Sequence, residues 1–163
     1  MKVIGIDPGT GRVGWGIISH EKGTDSLIEC GCFETTIKSE LPGRLRKIYH
    51  FLQTLIKKHK PDVLAVESLF FSTNVKTAFD VGAARGVILL AGEEAGIPIF
   101  QYTPLQVKSS LTGYGKAEKN QIQFMVTKIL HLKEIPKPDD AADAVAIALT
   151  HLFHHPNPLK IRK

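Results

Sequence analysis

Residues 3–18 read VIGIDPGTGRVGWGII. An apolar, β-branched run ends in an acid, Asp7, and three glycines follow as Gly9-x-Gly11-x-x-Gly14. In outline this is a dinucleotide-binding fingerprint. Such a fingerprint needs a helix after its glycines, because the pyrophosphate rests on that helix's N-terminus. Here Gly14 is followed by WGIISH, which alternates as a strand does and carries no helical stripe. The segment is therefore expected to be a tight hairpin, its glycines supplying positive φ at low steric cost. GYGKAEK near residue 113 lacks the G-x-x-x-x-G-K-[ST] spacing, so a P-loop is excluded too.

The flanking sequence extends this start into a fold. KVIGID suits a buried central strand, RVGWGIISH a second, and SLIECGCFETT a third after the turn residues Gly23, Thr24 and Asp25. Short connections predict an antiparallel meander. The period then changes: Leu41, Leu45, Ile48, Leu52, Leu55 and Ile56 make one apolar face of a helix over 41–60, basic in its last turn. Pro61 ends it and DVLAVE is a fourth, buried strand. VKTAFDVGAARGVILLAGEEAG is a long helix with small residues for close packing, and IPIFQY is a fifth strand. TPLQVKSSLTG is helical, with Thr103 as N-cap and Pro104 at the first helical position. KAEKNQIQFMVTKILHL and the Ala-rich PDDAADAVAIALTHLF are helices as well. The order is βββ-α-β-α-β-α-α-α. It predicts an α/β fold: a mixed five-stranded sheet, three antiparallel strands plus two parallel additions, flanked by helices. No linker interrupts it. Residues 1–155 are expected to form a single domain, with 156–163 a flexible basic C-terminal tail.

Composition narrows the function. The 163 residues, 43% hydrophobic, suit one compact domain, and a formal charge of +5 favours a polyanionic partner. Cys30 and Cys32 stand as C-x-C on one face of a strand, and no further cysteine completes a zinc set. Reduced, structural thiols in a cytoplasmic protein are expected. MKVIGID has no secretory h-region, and no apolar run approaches the roughly 20 residues that span a bilayer.

Four carboxylates stand in costly places. Asp7 and Glu67 each terminate a buried apolar strand, where a charge needs a partner or a metal. Asp140 and Asp143 lie three apart on the last helix, on the face carrying Ala144, Ile147 and Ala148. If that helix crosses the ends of strands one and four, all four acids converge. They would repel without cations, and hard oxygen donors favour Mg²⁺ or Mn²⁺. Plainer roles compete. Asp139 is expected to cap the helix and complement its dipole, a role open to Asp140 but not to Asp143, beyond the first turn. Glu67 and Asp7, each alone, could mark where a strand meets water. HLFHH, 151–155, has a spacing a metal could use, but with no acid partner it is expected to be a solvated helix end.

GIDPGTGRVGWGI, LAVESLFFSTNVKTAFDVGAARGV, YTPLQVKSSLTGYGKAEKNQIQFMV and PDDAADAVAIALTH resemble, in order, the signatures of the RuvC family of Holliday junction resolvases. The similarity runs from about residue 1 to residue 154. It implies a ribonuclease H-like fold and a catalytic, metal-binding set of Asp7, Glu67, Asp140 and Asp143. It implies two divalent cations per active site, Mg²⁺ or Mn²⁺, and an in-line displacement leaving 5′-phosphate and 3′-hydroxyl ends. It also implies a homodimer that cuts two opposed strands of a four-way DNA junction in recombination and repair. RuvA and RuvB, the branch-migration proteins, are the implied partners. Phe70 matches a family aromatic that stacks on bases near the crossover, and Lys108 and Lys119 match lysines close to the scissile phosphate. Lys116, Lys76 and Arg85 are further candidates for DNA backbone contacts. Two alternatives remain: one lobe of an actin-like or sugar-kinase ATPase, suggested by Asp7, Gly9 and Thr10, and a junction-binding module with an inactive site.

Overall fold

The structure, a computed structural model, describes residues 1–36, 38–68 and 75–156, with the backbone alone at 75–77. Its elements are β1 (Lys2–Asp7), β2 (Arg12–Glu21), β3 (Thr24–Glu34), α1 (Leu41–His59), β4 (Val63–Glu67), α2 (Val75–Glu94), β5 (Ile99–Tyr102), α3 (Pro104–Thr112), α4 (Lys119–Ile129) and α5 (Asp139–His154). The sheet order is β3-β2-β1-β4-β5. β1 pairs antiparallel with β2 and parallel with β4, and β5 adds parallel to β4. The mixed sheet expected from the sequence is therefore the one observed. The expected tail, 156–163, falls beyond the described residues from 157 onward.

Alternation along the strands divides the core. Ile4, Ile6, Leu64 and Val66 face a layer that includes Ile48, Leu52 and Leu55 of α1 and Ile88 of α2. Val3 and Ala65 face the other layer, built on α5 with Val107 and Leu111 of α3 and Ile122 and Val126 of α4. α3 begins as expected: the Gln106 N–H donates to the Thr103 hydroxyl (3.2 Å), and Gln106 Oε1 accepts from the Thr103 N–H (2.8 Å) in a capping box.

The α5 side of the sheet is paved with small residues. A Cβ at Gly5 would collide with the Ala144 carbonyl, at Gly14 with the Asp140 carbonyl, and at Gly16 with Val145. α5 answers with Ala141, Ala144 and Ala148, all buried. The helix backbone thus lies almost directly on β1 and β2. This corrects the expectation for the hairpin glycines. The glycines with positive φ are Gly23, Gly96 and Gly113, not Gly9, Gly11 or Gly14. Gly14 is needed because a helix lies over it, and Gly9 because the Arg12 carbonyl leaves no room for a side chain.

Two further expectations are corrected. Asp139 is the first residue of α5 but does not cap it; Pro138 precedes the helix, and no side chain caps that end. Nor is 151–155 solvated throughout: Phe153 and His154 are exposed, but the stretch begins inside the core. His151 is completely buried, its Nδ1 2.8 Å from the Tyr102 hydroxyl and its ring packed on Phe100. His154 Nε2 lies 2.9 Å from the Ser110 hydroxyl. The helical stripe through Ala144, Ala148 and His151 carries this imidazole inward.

Candidate active site

The site forms where β1 and β4 end. Register pairs Ile6 with Val66, so Asp7 and Glu67 are the next residues on adjacent parallel strands. Alternation sets both on the α5 side, two residues beyond Gly5 and Ala65. Close packing on Gly14 brings the first turns of α5 over these strand ends, and with them Asp140 and Asp143.

The acids feel one another. Burial, then the charges of Glu67, Asp143 and Asp140, pushes the Asp7 carboxyl up to about 8. Burial and the charge of Asp143 push Glu67 up to about 7, against the opposing pull of Lys108. Asp143 is also raised, by burial, although Lys119 acts against it. Desolvated carboxylates that resist ionisation together are a site awaiting positive charge.

Basic side chains supply part of that charge. Lys119 Nζ donates to Asp143 Oδ2 at 2.9 Å and lies 3.4 Å from Asp139 Oδ2. Arg12 Nη1 lies 3.4 Å from Asp140 Oδ2 while Nη2 and Nε hold Glu34. Glu67, Lys108, Lys119 and Asp143 line a cleft of ≈ 260 Å³ with Pro104 and Val107. Among the described residues, no three carboxylate, imidazole or thiol groups close into a ready cage. Asp140 and Asp143 are instead engaged by Arg12 and Lys119. The donor set is entirely carboxylate oxygen, which fits a hard divalent cation and offers nothing to a soft one.

The other candidates are distributed unevenly. Lys116 is exposed on the loop between α3 and α4. Arg85 is engaged locally, its Nε donating to the Glu67 carbonyl at 3.3 Å and its guanidinium to the Gln101 side chain. It ties α2 to the end of β4. Phe70 and the side chain of Lys76 lie outside the described residues. Sequence reasoning missed Arg12 and Cys32, whose Sγ lies 3.9 Å from Asp140 Oδ2. The opposed pair Gly14–Cys32 in the hairpin register was the available signal for the latter.

A mixed sheet in this order, with acids ending its two adjacent parallel strands, defines a ribonuclease H-like nuclease. Within that class the chain belongs to the RuvC family: the profile described as "Crossover junction endodeoxyribonuclease RuvC" matches residues 3–151. A curated relative of that name from Brevibacillus brevis is 50% identical over 151 residues, 93% of this chain and 91% of the relative. The Thermus thermophilus RuvC structure superposes with a TM-score of 0.88 at 39% identity, covering 94% of this chain and 95% of that one. T. thermophilus RuvC in complex with a Holliday junction substrate gives a TM-score of 0.86 at 36% identity, covering 94% of each. Membership of a nuclease family across the whole fold replaces the ATPase alternative.

Proposed function

We propose that this chain resolves Holliday junctions by nicking two opposed strands, in homologous recombination and DNA repair. The observation that carries this reading is the convergence of Asp7, Glu67 and Asp143, all held above their ordinary carboxylate range by burial.

Asp7, Glu67, Asp140 and Asp143 hold the cations, two per site, Mg²⁺ or Mn²⁺. When bound, such cations lower the pKa of an attacking water and offset charge on the leaving 3′ oxygen. The chain's part is positioning. Asp7 and Glu67 stand on strands fixed by the sheet ladder, and α5 sets Asp140 and Asp143 opposite them. Lys119, paired with Asp143, and Lys108, beside Glu67, are placed to exchange those partners for the oxygens of the scissile phosphate. Water enters at phosphorus and the 3′ oxygen departs in line, giving 5′-phosphate and 3′-hydroxyl ends. No Ser–His or Cys–His pair takes part.

The working unit is a homodimer of single-domain protomers in the cytoplasm, receiving junctions from RuvA and RuvB. A two-fold substrate calls for a two-fold enzyme, one active site for each cut strand. No helix among the described residues is long and apolar enough to cross a membrane. Phe70 stacks on a base at the crossover, while Lys116, Lys76 and Arg85 add backbone contacts.

Asp7→Asn separates the roles. The variant is expected to bind a synthetic four-way junction in a gel-shift assay yet leave it uncut with Mg²⁺ present. Full cleavage would remove the metal-site assignment.

A further inference from the structure

Beyond the acids, one feature of the surface is unexplained by packing. A groove of ≈ 570 Å³ runs between α3 and α4, lined by Leu111, Tyr114, Asn120, Gln121, Phe124 and Met125, among others. Tyr114 is 59% exposed and Phe124 56%. Two half-exposed aromatics lining one groove give it an apolar surface of the kind that interaction sites present.

The groove is neutral inside and basic at its edge. No lining residue carries a charge. Lys116 stands two residues beyond Tyr114, and Lys128 Nζ lies 5.4 Å from the centroid of the Phe124 ring. Aromatic faces with cations at the rim are the arrangement that takes a nucleobase together with its phosphate. Asn120 and Gln121 add amides, which can meet the polar edge of a base.

Tyr114 is held in readiness. Thr112 Oγ1 accepts from the Tyr114 N–H (3.2 Å) and donates its one proton to the Lys108 carbonyl (2.8 Å), tying the turn to α3. Gly113 turns the chain at φ 72°, and a Cβ at Gly115 would collide with the Leu105 side chain. The backbone of the turn is thus fixed from its α3 side, part of an ordering cost met before any ligand arrives.

Position relates the groove to the nuclease site. Lys119 and Gln123 reach Asp139 from one side of α4. Asn120 and Phe124 line the groove on another. A helix is about 10 Å across, a distance that roughly three stacked nucleotides cover and about two do when the strand is extended. We propose that this groove receives an unpaired nucleobase of the cut strand, about two to three nucleotides from the scissile phosphate. This rests on the nuclease function proposed above.

The test uses the Asp7→Asn chain and four-way junctions carrying one 5-iodouracil at successive positions from the cut. Irradiation should cross-link Tyr114 or Phe124 at about the second or third position. Adding Tyr114→Ala, or separately Phe124→Leu, should weaken junction binding about tenfold with an unchanged melting temperature. Unchanged affinity together with no cross-link in the groove overturns the proposal alone. So does a change in sedimentation on Tyr114→Ala, which would make the groove a face between copies of the chain. Failure of the Asp7→Asn parent to bind junctions at all overturns the function on which it rests.

Discussion

Asp7 is the residue on which the proposed chemistry turns, and its protonation has a thermodynamic signature. Its carboxyl is pushed up to about 8 from an ordinary 3.8, so the folded state holds a proton that the unfolded state releases. Stability from this group therefore falls as pH rises through that window. Without divalent cations, Asp7→Asn should melt several degrees higher than the parent at pH 8, and the gain should vanish near pH 4. Added Mg²⁺ should raise the parent's melting temperature and leave the variant's nearly unmoved, since a ligand stabilises only a fold that binds it. Calorimetry at fixed ionic strength checks both. His151 works in the opposite direction. Burial, then the charges of His155 and His154, lowers its imidazole to about 4, so the fold favours the neutral ring. Its contribution is complete above the ordinary 6.5 and is lost as pH falls toward 4. Replacing it by Gln should flatten that acid limb of the stability curve.

At the scale of elements, the contact between α5 and the sheet decides where the acids stand. Gly14→Ala sets a methyl group against the Asp140 carbonyl. The helix must lift, at a cost of about 1–3 kcal/mol of stability. Cleavage should fall more steeply than stability, because the displaced turn carries Asp140 itself. Denaturant melts read beside cleavage rates would show that split; equal losses would deny it. The same contact marks the limit of what the sequence makes legible. Continuous apolar, β-branched runs give β1 and β4, and so the strand-end positions of Asp7 and Glu67. A 3.6-residue period gives α1 from Leu45 to Ile56, and Thr103 with Pro104 announces α3. The purpose of Gly5, Gly14 and Gly16 is not legible locally, since nothing near them in the chain names the helix that lies on them. Arg12 resists for the same reason: its two carboxylates come from β3 and α5. His151 is a different failure. The stripe Ala144, Ala148, His151 is legible as an inward face, but nothing in the sequence shows that α5 stays helical and packed to its end rather than fraying.

For the whole molecule, a chain of net charge +5 brings four of its 16 acids to the ends of β1 and β4 and sets Lys108 and Lys119 beside them. Such a surface should bind DNA with an affinity that falls steeply with salt. Lys108→Ala should slow cutting and also lessen that salt dependence, as loss of a phosphate contact requires; a gel-shift series in potassium chloride measures the slope. The family assignment and the cleft geometry together point to one reaction on one kind of substrate. The most direct test is a synthetic four-way junction labelled on each strand in turn, incubated with and without Mg²⁺ beside duplex and forked controls. Nicks should appear only with Mg²⁺, only in the junction, and at matching positions on two opposed strands, with ends that a ligase seals. Cutting without divalent cation, cutting of plain duplex at the same rate, or an intact junction bound but never nicked would contradict the account.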